Sequence, residues 1–250
     1  MKFNINNFFE ISAEELEKIY SNTGDFSQFK RKFQSDLIRN GTWTSPSLQA
    51  LDATMFSLIS EIQNPKIEKF FIEAGANNGL RQSNSFVFEQ CFGWKGLLVE
   101  PIKYNYDLCK KYRGQKSKCL HACISSYDGK ITGAFADILE QERIENDHGL
   151  GAGCTEEHKR IYPNLIKEVD CFKYETICKI NSIPRNYALL CLDVERHERE
   201  IIDDKCFQHY RPALICIETD NKTVINDIVS QDYLLLKTID HNFFLGDKTI

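Results

Sequence analysis

Two glycines and a handful of acids in this 250-residue chain have the types and spacing for ligand chemistry. The run Phe71-Ile72-Glu73-Ala74-Gly75-Ala76-Asn77-Asn78-Gly79 ends an apolar stretch in an acid and follows it with an acid-x-Gly-x-x-x-Gly turn. Glycine lets the backbone turn sharply and approach a ligand, and a strand-tip carboxylate accepts hydrogen bonds from an ammonium or hydroxyl. The spacing departs from the G-x-G-x-x-G that grips a pyrophosphate, and no Lys-Ser/Thr follows as in a P-loop. Glu100 ends the next apolar run, Leu97-Leu98-Val99-Glu100-Pro101, where a carboxylate can bind a ribose diol. Together the two acids predict a nucleoside ligand, against the plainer alternatives of a structural turn and a solvated strand cap.

A second group of acids sits further along. Asp193 follows the run 188–192 with Glu195 and His197 close behind, and Glu218 follows the run 213–217. Neighbouring strand tips in a parallel sheet would bring these acids together. Confined carboxylates repel unless protonated, paired with a cation or bridged by a metal. Either a Mg²⁺-like ion sits on Asp193 and Glu218, with Asp220 or Asn221, or Arg196 neutralises the acids and His197 or a carboxylate takes a proton directly. The metal-free arrangement is preferred. Glu195 and Glu198 have a plainer alternative as acids favoured at a helix start.

The elements that must hold these residues show in the patterning from Lys69 onward. Short apolar runs at 70–72, 96–99, 119–124, 188–192 and 213–217 read as strands buried on both faces. Amphipathic stretches near 83–92, 103–113, 155–167, 197–205 and 221–230 read as the helices between them. This alternation predicts an α/β fold: a mostly parallel, Rossmann-like sheet with helices on both sides and ligands at the carboxyl ends of its strands. Asp128-Gly129 and the following residues to Ala136 suggest an extra strand, and 233–239 with 242–245 a terminal antiparallel hairpin. The glycine-dense stretch 147–153 is a connection, or a loop able to close over substrate.

Residues 1–65 read as an N-terminal helical extension and 66–250 as the catalytic domain. Ser12-Ala13-Glu14-Glu15 resembles a capping box, and Leu51, Met55, Leu58, Ile59 and Ile62 recur at helical spacing. The extension is a cap on the domain, with a substrate lid or a homodimer surface as the functional alternative. A net charge of -5 gives no long-range attraction to phosphate backbones, so nucleic acid is not expected as a partner. No apolar run approaches a membrane span and the start is too polar for a secretory segment, so a cytoplasmic protein is expected. The ten cysteines include no C-x-x-C pair and are expected as unlinked packing residues.

The segment from Phe71 to Gly79, then Ser83-Asn84-Ser85 with Phe88-Glu89, then Gly93-Trp94-Lys95-Gly96 through Glu100-Pro101, resembles the FkbM family of methyltransferases. Leu192-Asp193-Val194-Glu195-Arg196-His197-Glu198 is similar to that family's D-x-E-G-x-E segment, and the stretch from Arg211-Pro212 to Glu218 to its next strand. The resemblance implies a class I methyltransferase fold, S-adenosylmethionine as methyl donor, and methylation of oxygen on sugars, sugar-nucleotides or polyketides. It implies that Glu73, Gly75 and Gly79 surround the methionine part of the donor and Glu100 the ribose hydroxyls. Asn77 and Asn78 stand at the usual Asn-Asp of the turn, and Asn84 and Pro101 join the same binding set. Cys123 and Ile124, beside Ala122 and Ser125 after the third strand, fall near the adenine by topology. Glu73 departs from the family's common Asp, and Arg196 stands where glycine is usual. Two rivals are an NAD-type enzyme, which the first turn disfavours, and a degenerate binding domain, which the intact glycines and strand-tip acids disfavour.

Overall fold

The computed structural model describes residues 7–62, 64–141, 144, 150–203 and 205–249. The fold begins with strand β1 (Phe8–Glu10) and helix α1 (Ala13–Thr23). Ser12 Oγ accepts the Glu15 N–H and the Glu15 carboxylate accepts the Ser12 N–H, both at 3.2 Å, so the reciprocal cap is formed. Helix α2 (Ser27–Asn40), strand β2 (Trp43–Ser45) and helix α3 (Leu51–Ser60) follow. The segment is thus not wholly helical: β1 and β2 pair in parallel. Trp43 explains β2. Its ring meets Phe33 edge-on at 4.9 Å and stacks on Phe92 at 5.9 Å, so the strand is held inside an aromatic cluster.

Ten more strands follow: β3 (Glu68–Ala74), β4 (Lys95–Val99), β5 (Lys118–Leu120), β6 (Cys123–Ile124), β7 (Gly129–Ala134), β8 (Ile166–Phe172), β9 (Asn186–Leu192), β10 (Arg211–Glu218), β11 (Tyr233–Ile239) and β12 (Asn242–Asp247). The helices are α4 (Phe86–Phe92), α5 (Lys103–Arg113), α6 (Ile138–Gln141), α7 (Glu156–Ile161), α8 (Tyr174–Ile180), α9 (Glu198–Ile201) and α10 (Lys222–Val229). The central sheet has the order β5-β4-β3-β9-β10-β12-β11, parallel except for the terminal hairpin. Its two faces are both buried: Ile72, Leu97, Leu190 and Ile215 pack on one side, Phe71, Leu98, Leu189 and Leu214 on the other. The chain runs outward through β4 and β5, then returns to β9 on the far side of β3. The switch point, where a ligand crevice opens, therefore lies between β3 and β9.

Three elements differ from the sequence expectation. The run 119–124 is two strands, because Glu100 N–H holds Leu120 O at 3.0 Å while His121 Nε2 turns to Pro101 O at 2.9 Å; β6 then leaves the central sheet. A separate three-stranded sheet forms with the order β6-β8-β7. The helix expected over 155–167 stops at Ile161, since Pro163 cannot continue it, and Ile166 already begins β8. The expected helix at 197–205 contracts to α9. Of the glycine-dense stretch 147–153, residues 147–149 lie outside the described residues. All ten cysteines are free thiols.

Candidate functional site

A cavity of about 290 Å³ opens at the carboxyl ends of β3, β4, β9 and β10. Gly75, Asn77, Glu100, Pro101, Cys123, Ile124, Asp193, Glu195, His197 and Glu218 line it, so most of the expected site residues meet there. A second cavity of about 330 Å³ adjoins it, lined by Asp193, Glu195, Arg196, Glu198, Glu218, Thr219, Asp220 and His241. Asp193, Glu195 and Glu218 face both spaces.

Gly75 makes the first wall possible. Its φ is +83°, and a β-carbon there would lie 1.8 Å from the Asp193 carbonyl oxygen. The turn thus presses against the β9 tip, where Asp193 N–H donates to Ala74 O at 3.1 Å. Glu73, Asn78, Gly79 and Asn84 do not line the cavity. They build the turn from behind. Glu73 accepts the Asn84 N–H at 2.7 Å, Ser83 Oγ at 3.0 Å and Ser85 Oγ. Arg113, fully buried, donates to the same two serines at 3.1 and 3.0 Å and to Gly79 O at 2.8 Å, while its Nε pairs with Glu89 at 2.8 Å. Burial pushes the Glu73 carboxyl up in pKa, opposed by Arg113 and its hydroxyl donors. Both Glu73 oxygens thus accept from the protein's own donors, behind the turn and off the cavity lining.

Glu100 is different. It is buried, yet among the described residues it accepts only the Asn77 and Ile102 N–H groups, one on each oxygen at 2.8 Å. Desolvation, opposed by those two bonds, pushes its carboxyl to about 8.

At the other end of the cavity, burial first and then Glu218, Glu195 and Glu198 hold the Asp193 carboxyl well above the usual carboxylate range. Glu198 is pushed to about 7 by burial while accepting the Arg196 N–H at 3.0 Å and Thr219 Oγ1 at 3.3 Å. Burial lowers the His197 pKa, favouring a neutral imidazole whose Nε2 lies 3.1 Å from Ser125 Oγ. Among the described residues, no group of three or more His, Cys, Asp or Glu side chains is arranged to hold a metal ion. Glu195 and Arg196 both have positive φ, +52° and +68°. A residue in that left-handed conformation explains why a glycine is favoured at position 196.

The family model for the Methyltransferase FkbM domain matches residues 73–232, from the tip of β3 through α10, and includes most of the residues that line the two cavities. The chain belongs to this family. This FkbM-domain chain resembles the solved Methyltransferase FkbM from Methylobacillus flagellatus KT at 10% identity and a TM-score of 0.42, over 92% of this chain and 60% of that one. It resembles a human methyltransferase 10 domain containing protein at 9% identity and a TM-score of 0.41, over 89% and 97% of the two chains. The N-terminal domain of human METTL16, solved in complex with SAH, gives 10% identity and a TM-score of 0.40, over 82% and 72%. No curated protein matches the sequence. The assignment rests on the family match, not on these distant likenesses. Among the described residues no helix is long and apolar enough to cross a membrane.

Six further cavity residues are not singled out by the sequence patterns: Leu48, Arg81, Gln82, Asn105, Phe135 and Gln141, whereas Leu150 falls in the glycine-dense stretch expected near substrate. Arg81 and Gln82 directly follow the glycine turn, which was a usable signal. Leu48 had none, because only the packing of the N-terminal segment carries it to the cavity.

Proposed function

We propose that this chain transfers a methyl group from S-adenosylmethionine to a hydroxyl of a sugar or sugar-nucleotide, with the donor in the first cavity and the acceptor in the second. One observation carries the reading. Glu100 is a buried carboxylate with no cation among the described residues offsetting its burial, clamped by two backbone N–H groups on the wall of a cavity at the switch point. A ribose diol supplies the hydroxyl donors such a group lacks, and the small apolar Ala122, Cys123 and Ile124 beside it suit a flat adenine ring. Glu100→Ala should weaken S-adenosylhomocysteine binding by about 1.5–3 kcal/mol in titration calorimetry. Unchanged affinity would remove the ribose assignment.

The same group sets a pH dependence. Ribose hydroxyls donate to the ionised carboxylate, whereas the free site holds Glu100 protonated below about 8. Affinity should therefore rise roughly tenfold per unit from pH 6 to 8 and level off above, with a proton released on binding. Calorimetry in two buffers of different ionisation enthalpy would detect that proton, and Glu100→Gln should abolish both effects.

The donor supplies an electrophilic methyl on a sulfonium. Asp193, facing both cavities, is the group suited to take the acceptor hydroxyl proton as the oxygen–carbon bond forms and the carbon–sulfur bond breaks. Burial and the neighbouring acids raise its pKa and make it the more basic for that role. Positive charge in the neighbouring cavity draws the pKa down and leaves a carboxylate of enhanced basicity. Glu195, Glu218 and Asp220 accept hydrogen bonds only, which matches the donors of a polyhydroxyl acceptor. His197, lining the donor cavity alone, acts as a neutral partner to Ser125. With an acceptor in hand, Asp193→Asn should lower turnover at least about tenfold, a barrier change of roughly 1.4 kcal/mol, with donor affinity retained. Turnover near the unsubstituted level would sink the assignment. Activity lost in chelator and restored by Mg²⁺ would replace direct proton removal with the metal-bridged arrangement.

A further inference from the structure

Among the described residues lining the donor cavity, Arg81 is the only lysine or arginine, while Glu100, Asp193, Glu195 and Glu218 contribute four carboxyl groups to the same lining. Its main chain is fixed. The Arg81 N–H donates to Asn78 Oδ1 at 2.8 Å, an oxygen that also takes the Leu80 N–H at 3.0 Å, and Arg113 holds Gly79 O just upstream. Asn78 is fully buried, so the turn carrying Arg81 has little freedom. The half-buried guanidinium makes no hydrogen bond or ion pair with the described residues. It also acts weakly on the exposed Glu14. A guanidinium on a fixed stretch of backbone, with no side-chain partner among the described residues, thus lines a cavity whose other charged side chains are acids.

Resting on the donor reading above, we infer that Arg81 binds the α-carboxylate of the donor's amino-acid part. S-adenosylmethionine carries one negative group, and a carboxylate set among Asp193, Glu195 and Glu218 without a cation would be repelled. A guanidinium fork meets a carboxylate with two parallel N–H bonds, which fixes direction as well as charge. Anchoring the amino-acid end at the glycine turn while Glu100 holds the ribose sets where the sulfonium between them falls relative to Asp193. Arg81 is in this sense a positioning residue.

The test compares two nucleosides that differ at that end: S-adenosylhomocysteine has the carboxylate, and 5′-methylthioadenosine lacks the whole amino-acid part. In titration calorimetry, Arg81→Ala should weaken S-adenosylhomocysteine about ten- to hundredfold and change 5′-methylthioadenosine by less than about twofold. Arg81→Lys should restore part of the affinity, keeping charge without the fork. An unchanged thermal midpoint would confirm that the variants fold, as expected for a side chain with no hydrogen-bond or ion-pair partner among the described residues. Unaltered S-adenosylhomocysteine affinity in Arg81→Ala, or an equal loss for both nucleosides, overturns the inference and leaves the donor reading standing. Failure of the unsubstituted protein to bind either nucleoside overturns the donor reading, and the inference with it.

Discussion

Arg113→Met is expected to destabilise the protein by about 3–5 kcal/mol, the range for removing one partner of a buried ion pair. Arg113 is wholly enclosed and makes four hydrogen bonds at once, to Glu89, Gly79 O, Ser83 and Ser85. Methionine fills similar volume but leaves Glu89 and Glu73 buried without their cation. Lysine should recover less than half of the loss, because one ammonium cannot reach acceptors spread over the β3–α4 connection and helix α4. Urea unfolding of the three proteins, followed at constant slope, measures the effect. A loss below about 1 kcal/mol for Arg113→Met would show that Glu89 and Glu73 find other partners. Donor affinity should fall with stability, since the same guanidinium holds the Gly79 carbonyl that shapes the cavity turn.

Gly75→Ala is the second large effect. The added methyl group would stand 1.8 Å from the Asp193 carbonyl oxygen, so β3 and β9 must part or the turn must unwind. Gly24→Ala is an internal control: Gly24 has a similar φ of +74°, but a β-carbon there meets nothing within 4 Å. The control isolates the left-handed backbone cost of about 1–2 kcal/mol. Gly75→Ala should exceed it by at least about 2 kcal/mol, the scale of overpacking, and should abolish S-adenosylhomocysteine binding. Equal losses for the two variants would mean that the approach to Asp193 relaxes freely.

Strands β3, β4, β9 and β10 were legible because strands buried on both faces carry unbroken apolar runs, and their tips were legible because acids end them. Helix α5 was legible over 103–113, bounded by Pro101 upstream and Gly114 downstream. The break at His121 was not, because it depends on Pro101 and Leu120 being neighbours only after β4 and β5 pair. Strand β8 hid behind the polar content of Lys167, Glu168 and Asp170, whose alternation with Val169 and Cys171 marks a strand with one wet face. The partners of Glu73 were hidden for the same reason. Its chemistry was read from its strand-tip position, while its partners come from Ser83, Ser85 and Arg113, which no local pattern joins to it.

The sheet order also bears on how such a domain can diverge. Among the described residues, strands β6, β7 and β8 pair as strands only with one another, yet Cys123, Ile124 and Phe135 from this part of the chain wall the first cavity. Insertions, deletions or exchange of the stretch between Ser125 and Phe172 leave the register of β3, β4, β9 and β10 untouched, and with it the frame that carries Glu100 and Asp193. A lineage can therefore rewrite one wall of the cavity as a cassette, altering what fits, without reopening the question of how the central sheet is threaded.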